Sequence, residues 1–403
     1  MLRRLATVVG VALLATVLTA PANAVVEPPR PTFYEAPSVL PSTNGAVIRS
    51  EQMTYKLDPL KANTVAMNSW RILYRSTNRV GKPIAVSGTV LVPKAAWFGF
   101  GRRPVIGYAA GTQGMADKCA PSRQFSEGLE YEGAFISGLL ARGYAVVMTD
   151  YEGLGTAGVH TYMDRVSQGR AVLDSVRAAQ RLSGTGLSSL NPVGLQGYSQ
   201  GGGAAASAAE LAASYAPELS IKGASVGAVP ADLKKVAQKI DGTMWAEFLL
   251  YAARGLSQSY GIDPHSVTND LGDKKMDEIE GHCVFDLFSN SFVKSSTLTD
   301  SGQSLVQIMD SEPWRTMVEQ QRIGTLKPAF PVLVTHSALD DTIPYDQGKA
   351  MAKSWCAKGA NVRFSTNLNP GHLGGMLATS TEMYGFFEAR FAGLPQWSNC
   401  WIL

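Results

Sequence analysis

The chain has 403 residues, with 36 Lys and Arg against 33 Asp and Glu, for a net charge of +3. Removing residues 1–24 takes away Arg3 and Arg4 and no acid, leaving +1 over 379 residues. No run of Lys and Arg is present, which excludes phosphate-backbone recognition and hence nucleic acid as a partner. That length buries a large core and suits one domain carrying a substantial insertion.

At the N-terminus Arg3 and Arg4 precede an apolar run from Leu5 to Leu18, and Ala22-Asn23-Ala24 matches an A-x-A cleavage site. This is the pattern of a signal peptide over residues 1–24, cut after Ala24, and it implies export. No other segment has the roughly 20 charge-free apolar residues of a membrane span, so the mature chain is expected to have no transmembrane segment. Four cysteines, Cys119, Cys283, Cys356 and Cys400, form an even set in an exported chain. Two disulfides are expected, with three possible pairings.

Val25 to Pro41 is proline-rich and reads as an extended arm. Trp70–Tyr74 and Ile84–Val92 read as a hairpin turning at Asn78-Arg79-Val80-Gly81. Continuous apolar runs follow at Val105–Ala110, Ala145–Thr149 and Val193–Leu195, and later at Ile221–Val229, Pro331–Thr335 and Val362–Thr366. Between them lie helical patterns: Met163–Leu182, with Leu173, Val176, Ala179 and Leu182 at helical spacing and Ser167 as a cap; Tyr345–Lys358; and Met376–Phe391. Buried strands alternating with helices predict an α/β fold with a mostly parallel sheet entered through an antiparallel hairpin. From Ala231 to Leu326 the alternation stops and helical patterns take over. Met244-Trp245-Ala246-Glu247-Phe248-Leu249-Leu250-Tyr251 is strongly apolar there, and Val306–Met317 looks amphipathic. Met244, Trp245 and Phe248 read as the core of an inserted helical cap or as the lining of a trough for a long apolar substrate, and the two readings are compatible. The expected organisation is a core over 25–230 and 327–403 with a cap or lid over 231–326.

Gly197-Tyr198-Ser199-Gln200-Gly201 is G-x-S-x-G between the strand Pro192–Gln196 and an alanine-rich helix reaching about Tyr215. Strand, tight turn and helix are the setting of a nucleophile elbow, where the turn exposes a serine hydroxyl to a general base. A hydrolase of this design places its acid and then its histidine downstream of the serine. His372, in Asn369-Pro370-Gly371-His372-Leu373-Gly374-Gly375, reads as a base carried on a flexible loop. Asp340 reads as the acid that fixes its tautomer, with Asp341 the neighbouring alternative. His336 reads as a structural residue at a strand end, and His160, His265 and His282 as structural or surface residues. The oxyanion would be met by the backbone N–H of Gln200 and by one from the loop Gly111-Thr112-Gln113-Gly114, with Gln113 the choice there. Asp150-Tyr151-Glu152-Gly153-Leu154-Gly155 reads as a turn. No metal site and no cofactor are expected.

These motifs carry a resemblance. Asp117-Lys118-Cys119-Ala120-Pro121-Ser122, Gly197-Tyr198-Ser199, Ser214-Tyr215-Ala216-Pro217-Glu218-Leu219, Asp340 with Ile343-Pro344-Tyr345, Cys356-Ala357-Lys358-Gly359-Ala360-Asn361 and His372 together resemble secretory lipases of the Candida lipase A type. The resemblance spans most of the mature chain. It implies an α/β-hydrolase fold, a triad of Ser199, Asp340 and His372, a helical lid, and disulfides Cys119–Cys283 and Cys356–Cys400. It also implies a secreted triacylglycerol lipase acting on lipid or other ester substrates, with transient contact at lipid interfaces. A short-chain esterase or acyltransferase on the same triad is the alternative, followed by a catalytically silent binding protein. Two positions depart from the family pattern: Gln200 stands where the yeast enzyme has Gly, and the loop Gly111–Gly114 differs.

Overall fold

The computed structural model describes residues 30–57 and 65–403. The signal-peptide reading over 1–24 lies outside them. Among the described residues nine strands form one sheet: β1 (Val47–Met53), β2 (Met67–Thr77), β3 (Pro83–Pro93), β4 (Val105–Ala109), β5 (Ala145–Thr149), β6 (Val193–Tyr198), β7 (Ile221–Gly227), β8 (Val332–Ser337) and β9 (Val362–Asn367). Their order is β1-β2-β3-β5-β4-β6-β7-β8-β9. The first three strands and the β3–β5 junction are antiparallel, and every pair from β5 to β9 is parallel.

Every residue of β4, β5, β6 and β8 is buried. Central parallel strands are covered on both faces by helices, which is why these stretches read as unbroken apolar runs. The parallel arrangement brings the C-terminal ends of β4, β6 and β8 to one edge of the sheet. Those ends lead into the Gly111–Gly114 loop, Ser199 and Asp340.

Between β7 and β8 the chain runs through helices Leu233–Ile240, Ala246–Tyr260, Asp270–Glu278, Leu305–Ile308 and Trp314–Gln320. Their apolar faces, including Leu249, Leu250, Tyr251, Leu256, Met276 and Met317, form a second cluster apart from the sheet core. The buried Glu247 carboxylate ties this region internally, accepting from Tyr251 Oη at 2.6 Å, His282 Nδ1 at 2.9 Å and Asn290 Nδ2 at 3.1 Å. Glu210, on the helix Gln200–Tyr215, fastens the returning chain by accepting from the backbone N–H of Gly324 at 2.8 Å and of Leu326 at 3.1 Å. Disulfides join Cys119 to Cys283 and Cys356 to Cys400, the pairing the resemblance implies. Among the described residues no helix is long and apolar enough to cross a membrane.

Several local expectations need correction. Asp164, not Ser167, caps the helix Arg165–Arg181, accepting from the N–H groups of Val166 and Ser167. The Ser167 hydroxyl instead donates to Glu152. The described part of the arm contains a 3₁₀ turn at Thr32–Tyr34 that buries Phe33 and Tyr34 against Leu73. Val306–Met317 is not one helix: Pro313, with no N–H for the ladder, separates Leu305–Ile308 from Trp314–Gln320.

Candidate active site

Ser199 occupies the turn between β6 and the helix Gln200–Tyr215 with φ +58°, a left-handed conformation costly for a residue with a side chain. Two glycines make the turn possible. A Cβ on Gly197 would lie 2.1 Å from Gly201 O, and one on Gly201 would lie 2.1 Å from Ala109 O. The backbone N–H of Ser199 donates to Gly227 O at 3.0 Å, tying the elbow to the end of β7. The side chain thus sits half-buried at the start of a 16-residue helix, whose N-terminal N–H groups and dipole favour negative charge.

Asp340 and His372 meet at the same edge of the sheet, where His372 contacts Tyr198, the neighbour of Ser199. His372 Nδ1 lies 2.8 Å from Asp340 Oδ2. The other carboxylate oxygen, Oδ1, accepts from the N–H groups of Thr342 at 2.9 Å and Ile343 at 2.8 Å. His336 Nε2 approaches Oδ2 at 3.6 Å and lies 3.1 Å from Ile343 O. Burial alone raises a carboxyl pKa, but hydrogen bonding from His336, His372 and the Ile343 backbone, with the charge of His372, holds Asp340 well below the usual carboxylate range. Asp341 does not touch the imidazole. It is exposed, accepts the His372 backbone N–H at 2.8 Å, and accepts Trp245 Nε1 at 3.3 Å.

His372 was expected on a loop, but it stands in the first turn of the helix Gly371–Phe391. A helix start gives the imidazole a fixed origin, and Gly371, at φ +70°, makes the sharp entry. Tyr198, the variable residue of G-x-S-x-G, anchors this turn: its hydroxyl donates to His372 O at 2.7 Å, with ring centroids 5.0 Å apart. The residue before Ser199 therefore anchors the histidine.

A cavity opens on Ser199 and Gln200. Val236, Phe248, Leu256, Ile308 and Met317 from the helical region and Ile343 beside Asp340 give it an apolar wall. Of the three residues singled out in sequence, Phe248 lines the cavity. Trp245 stacks on Phe248 and reaches Asp341, and Met244 is half-buried.

Sequence reasoning missed the support beneath Gln200. His160 is fully buried; its Nδ1 lies 2.9 Å from Glu152 O and its Nε2 lies 3.1 Å from Gln200 Nε2. A carbonyl at Nδ1 requires a proton there, so Nε2 accepts from the Gln200 amide. Burial pushes the imidazole pKa down to about 4. Since the folded value lies below the ordinary 6.5, the unfolded chain binds the proton first, and this site's contribution to stability falls as pH drops from 6.5 toward 4. His160→Gln is expected to remove about 2 kcal/mol of the stability loss between pH 7 and pH 4.5, read from urea unfolding of both proteins. Equal losses in the two proteins would contradict this. His282 and His265 are structural, paired with Glu247 and with Asp273.

The fold and this edge of the sheet define an α/β-hydrolase of the lipase kind. The chain is similar to Candida antarctica lipase A in its closed state, with TM-score 0.79 and 27% identity, covering 91% of this chain and 87% of that one. It is 28% identical over 386 residues to the secreted triacylglycerol lipase LIP7 of Malassezia globosa, covering 91% of this chain and 80% of the relative. It is also 28% identical over 382 residues to the probable inactive lipase MT1628 of Mycobacterium tuberculosis, covering 91% and 82%. Residues 122–399 match the secretory lipase family model, and the chain belongs to the secretory lipase family.

Proposed function

We propose that the protein is an exported triacylglycerol lipase working through an acyl-enzyme. Ser199 attacks the ester carbonyl carbon while His372 takes its proton, then returns it to the leaving alcohol. Water activated by His372 releases the fatty acid. Asp340 holds the imidazole with its proton on Nδ1 and stabilises the imidazolium. The N–H groups of Gln200 and Gln113 meet the oxyanion. Residues 231–326 act as the cap over core segments 25–230 and 327–403, and residues 1–24 direct export. Neither cofactor nor metal takes part in these steps.

The observation that carries this reading is Asp340 bonded to His372 at 2.8 Å, with His372 anchored on the residue before Ser199. A silent relative lends weight to a non-catalytic reading, but here the buried Asp340 and His372 are hydrogen-bonded to each other and Ser199 lines an apolar cavity. The apolar wall of the cavity supports long acyl chains over a short-chain preference.

The test is the p-nitrophenyl ester series from acetyl to palmitoyl. We expect kcat/KM to rise with chain length. Val236→Trp, which fills the cavity, is expected to lower palmitoyl turnover roughly hundredfold, as exclusion of about four methylenes implies, and to leave butyryl turnover within about twofold. Activity confined to short chains, unaffected by Val236→Trp, would reduce the enzyme to an esterase.

A further inference from the structure

Three consecutive residues, Glu130, Tyr131 and Glu132, grip three consecutive loop residues in reverse order. Gln113 Nε2 donates to Glu130 Oε1 at 3.1 Å, Tyr131 Oη donates to Thr112 O at 3.0 Å, and Gly111 N–H donates to Glu132 Oε2 at 2.8 Å. The neighbouring carbonyls are engaged as well, Ala110 O by Tyr151 Oη at 2.8 Å and Gln113 O by Val284 N–H at 2.7 Å. We propose that Tyr131 is a positioning residue for the oxyanion hole, aiming the Thr112–Gln113 peptide so that Gln113 N–H faces the reacting carbonyl. This rests on the serine-hydrolase reading above.

The peptide plane makes the link. In a trans peptide the carbonyl and the following N–H point in opposite directions. Tyr151 draws the Ala110 carbonyl one way, and Gly111 N–H accordingly faces Glu132, which removes it as a donor to substrate. Tyr131 draws the Thr112 carbonyl to itself, which turns Gln113 N–H away from Tyr131. On the same residue, Thr112 Oγ1 lies 2.7 Å from Tyr162 Oη, and Tyr162 lines the cavity that holds Ser199. The loop passes close to the nucleophile: a Cβ on Gly111 would lie 2.6 Å from Tyr131 Oη and 3.6 Å from Tyr198 O. Burial raises the Tyr131 phenol pKa, which keeps its donating proton in place. The clamp joins partners about 20 residues apart on opposite sides of the Cys119 anchor, so no short motif announces it.

The test is Tyr131→Phe, which removes one hydroxyl and keeps the ring. Loss of a whole oxyanion donor costs 10²–10³ in rate, and a misaimed one is expected to cost about 10- to 100-fold in kcat with KM within about twofold. Affinity for an alkyl trifluoromethyl ketone, whose adduct with serine carries the oxyanion, is expected to fall in parallel with kcat/KM. Affinity for the corresponding alcohol should stay within about twofold. Tyr384→Phe is the control, because that hydroxyl also donates to a backbone carbonyl, Phe135 O at 2.8 Å, away from the site; its kcat should match wild type. An unchanged kcat in Tyr131→Phe overturns the assignment. Equal weakening of ketone and alcohol, or a fall in melting temperature without a kcat-specific loss, also overturns it by revealing a merely structural role. A wild-type protein that hydrolyses no ester, or a Ser199→Ala variant as active as wild type, removes the underlying hydrolase reading instead.

Discussion

Ser199→Ala is expected to lower ester turnover by on the order of 10⁶-fold, to the background left by substrate binding and the oxyanion donors. The substitution deletes one oxygen from a half-buried turn and so leaves the fold standing. The left-handed φ of +58° is compatible with no bulky replacement, but alanine fits where serine does and introduces no new atom against Gly227 or the helix start. Matched circular dichroism and melting curves, with turnover of the palmitoyl ester gone, assign the loss to the nucleophile. Residual turnover within about a hundredfold of wild type would mean that another group performs the attack.

The second large effect separates the two adjacent aspartates. Asp340→Asn is expected to lower kcat by about 10⁴-fold, because it forces the wrong imidazole tautomer. The reason lies in the other oxygen. Oδ1 accepts from the N–H groups of Thr342 and Ile343, so an asparagine must keep its carbonyl oxygen there. Its NH₂ group then faces His372 Nδ1, which must become an acceptor and move its proton to Nε2, where the base is required. Asp341→Asn meets no such conflict. Its oxygen can still accept the His372 backbone N–H, and only the charge and the Trp245 contact change. A loss below about tenfold is expected there. Equal losses in the two variants, measured as kcat at saturating ester, would contradict the assignment of Asp340.

Much of this architecture was legible in the sequence because central parallel strands are buried on both faces. Ala145–Thr149 coincides with β5, and the other central strands were located within a few residues, since a continuous apolar run between glycine-rich turns has few other uses. β1 was not found. Val47–Met53 is an edge strand that places Arg49, Ser50, Glu51 and Gln52 in succession, so it has neither an apolar run nor strict alternation. The helix carrying His372 starts five residues before the Met376 that its sequence pattern suggests, because Gly371, Gly374 and Gly375 read as a loop. In the fold, Tyr198 and Asp341 supply the anchors that allow a helix to start on glycine.

The candidate site divides along the same physical line. Ser199 sits in a local motif whose flanking elements are contiguous with it, and Asp340 sits in a compact turn after a strand. The groups that orient them come from far along the chain. Tyr198 reaches across 174 residues to His372, Gln200 reaches 40 residues back to His160, and Glu210 holds a segment 114 residues on. Such partners are set by tertiary packing and leave no periodic trace. His160 illustrates the consequence: the sequence reads it as structural or surface, and only the fold shows it as a fully buried acceptor under the residue that follows Ser199.

The most direct measurement is labelling of the folded protein with an alkyl fluorophosphonate, followed by intact mass and peptide mapping. The account predicts one phosphonyl group per chain, located on Ser199, with labelling abolished in Ser199→Ala and slowed sharply in Asp340→Asn. A folded protein that takes up no label, or takes it on another serine, would contradict it.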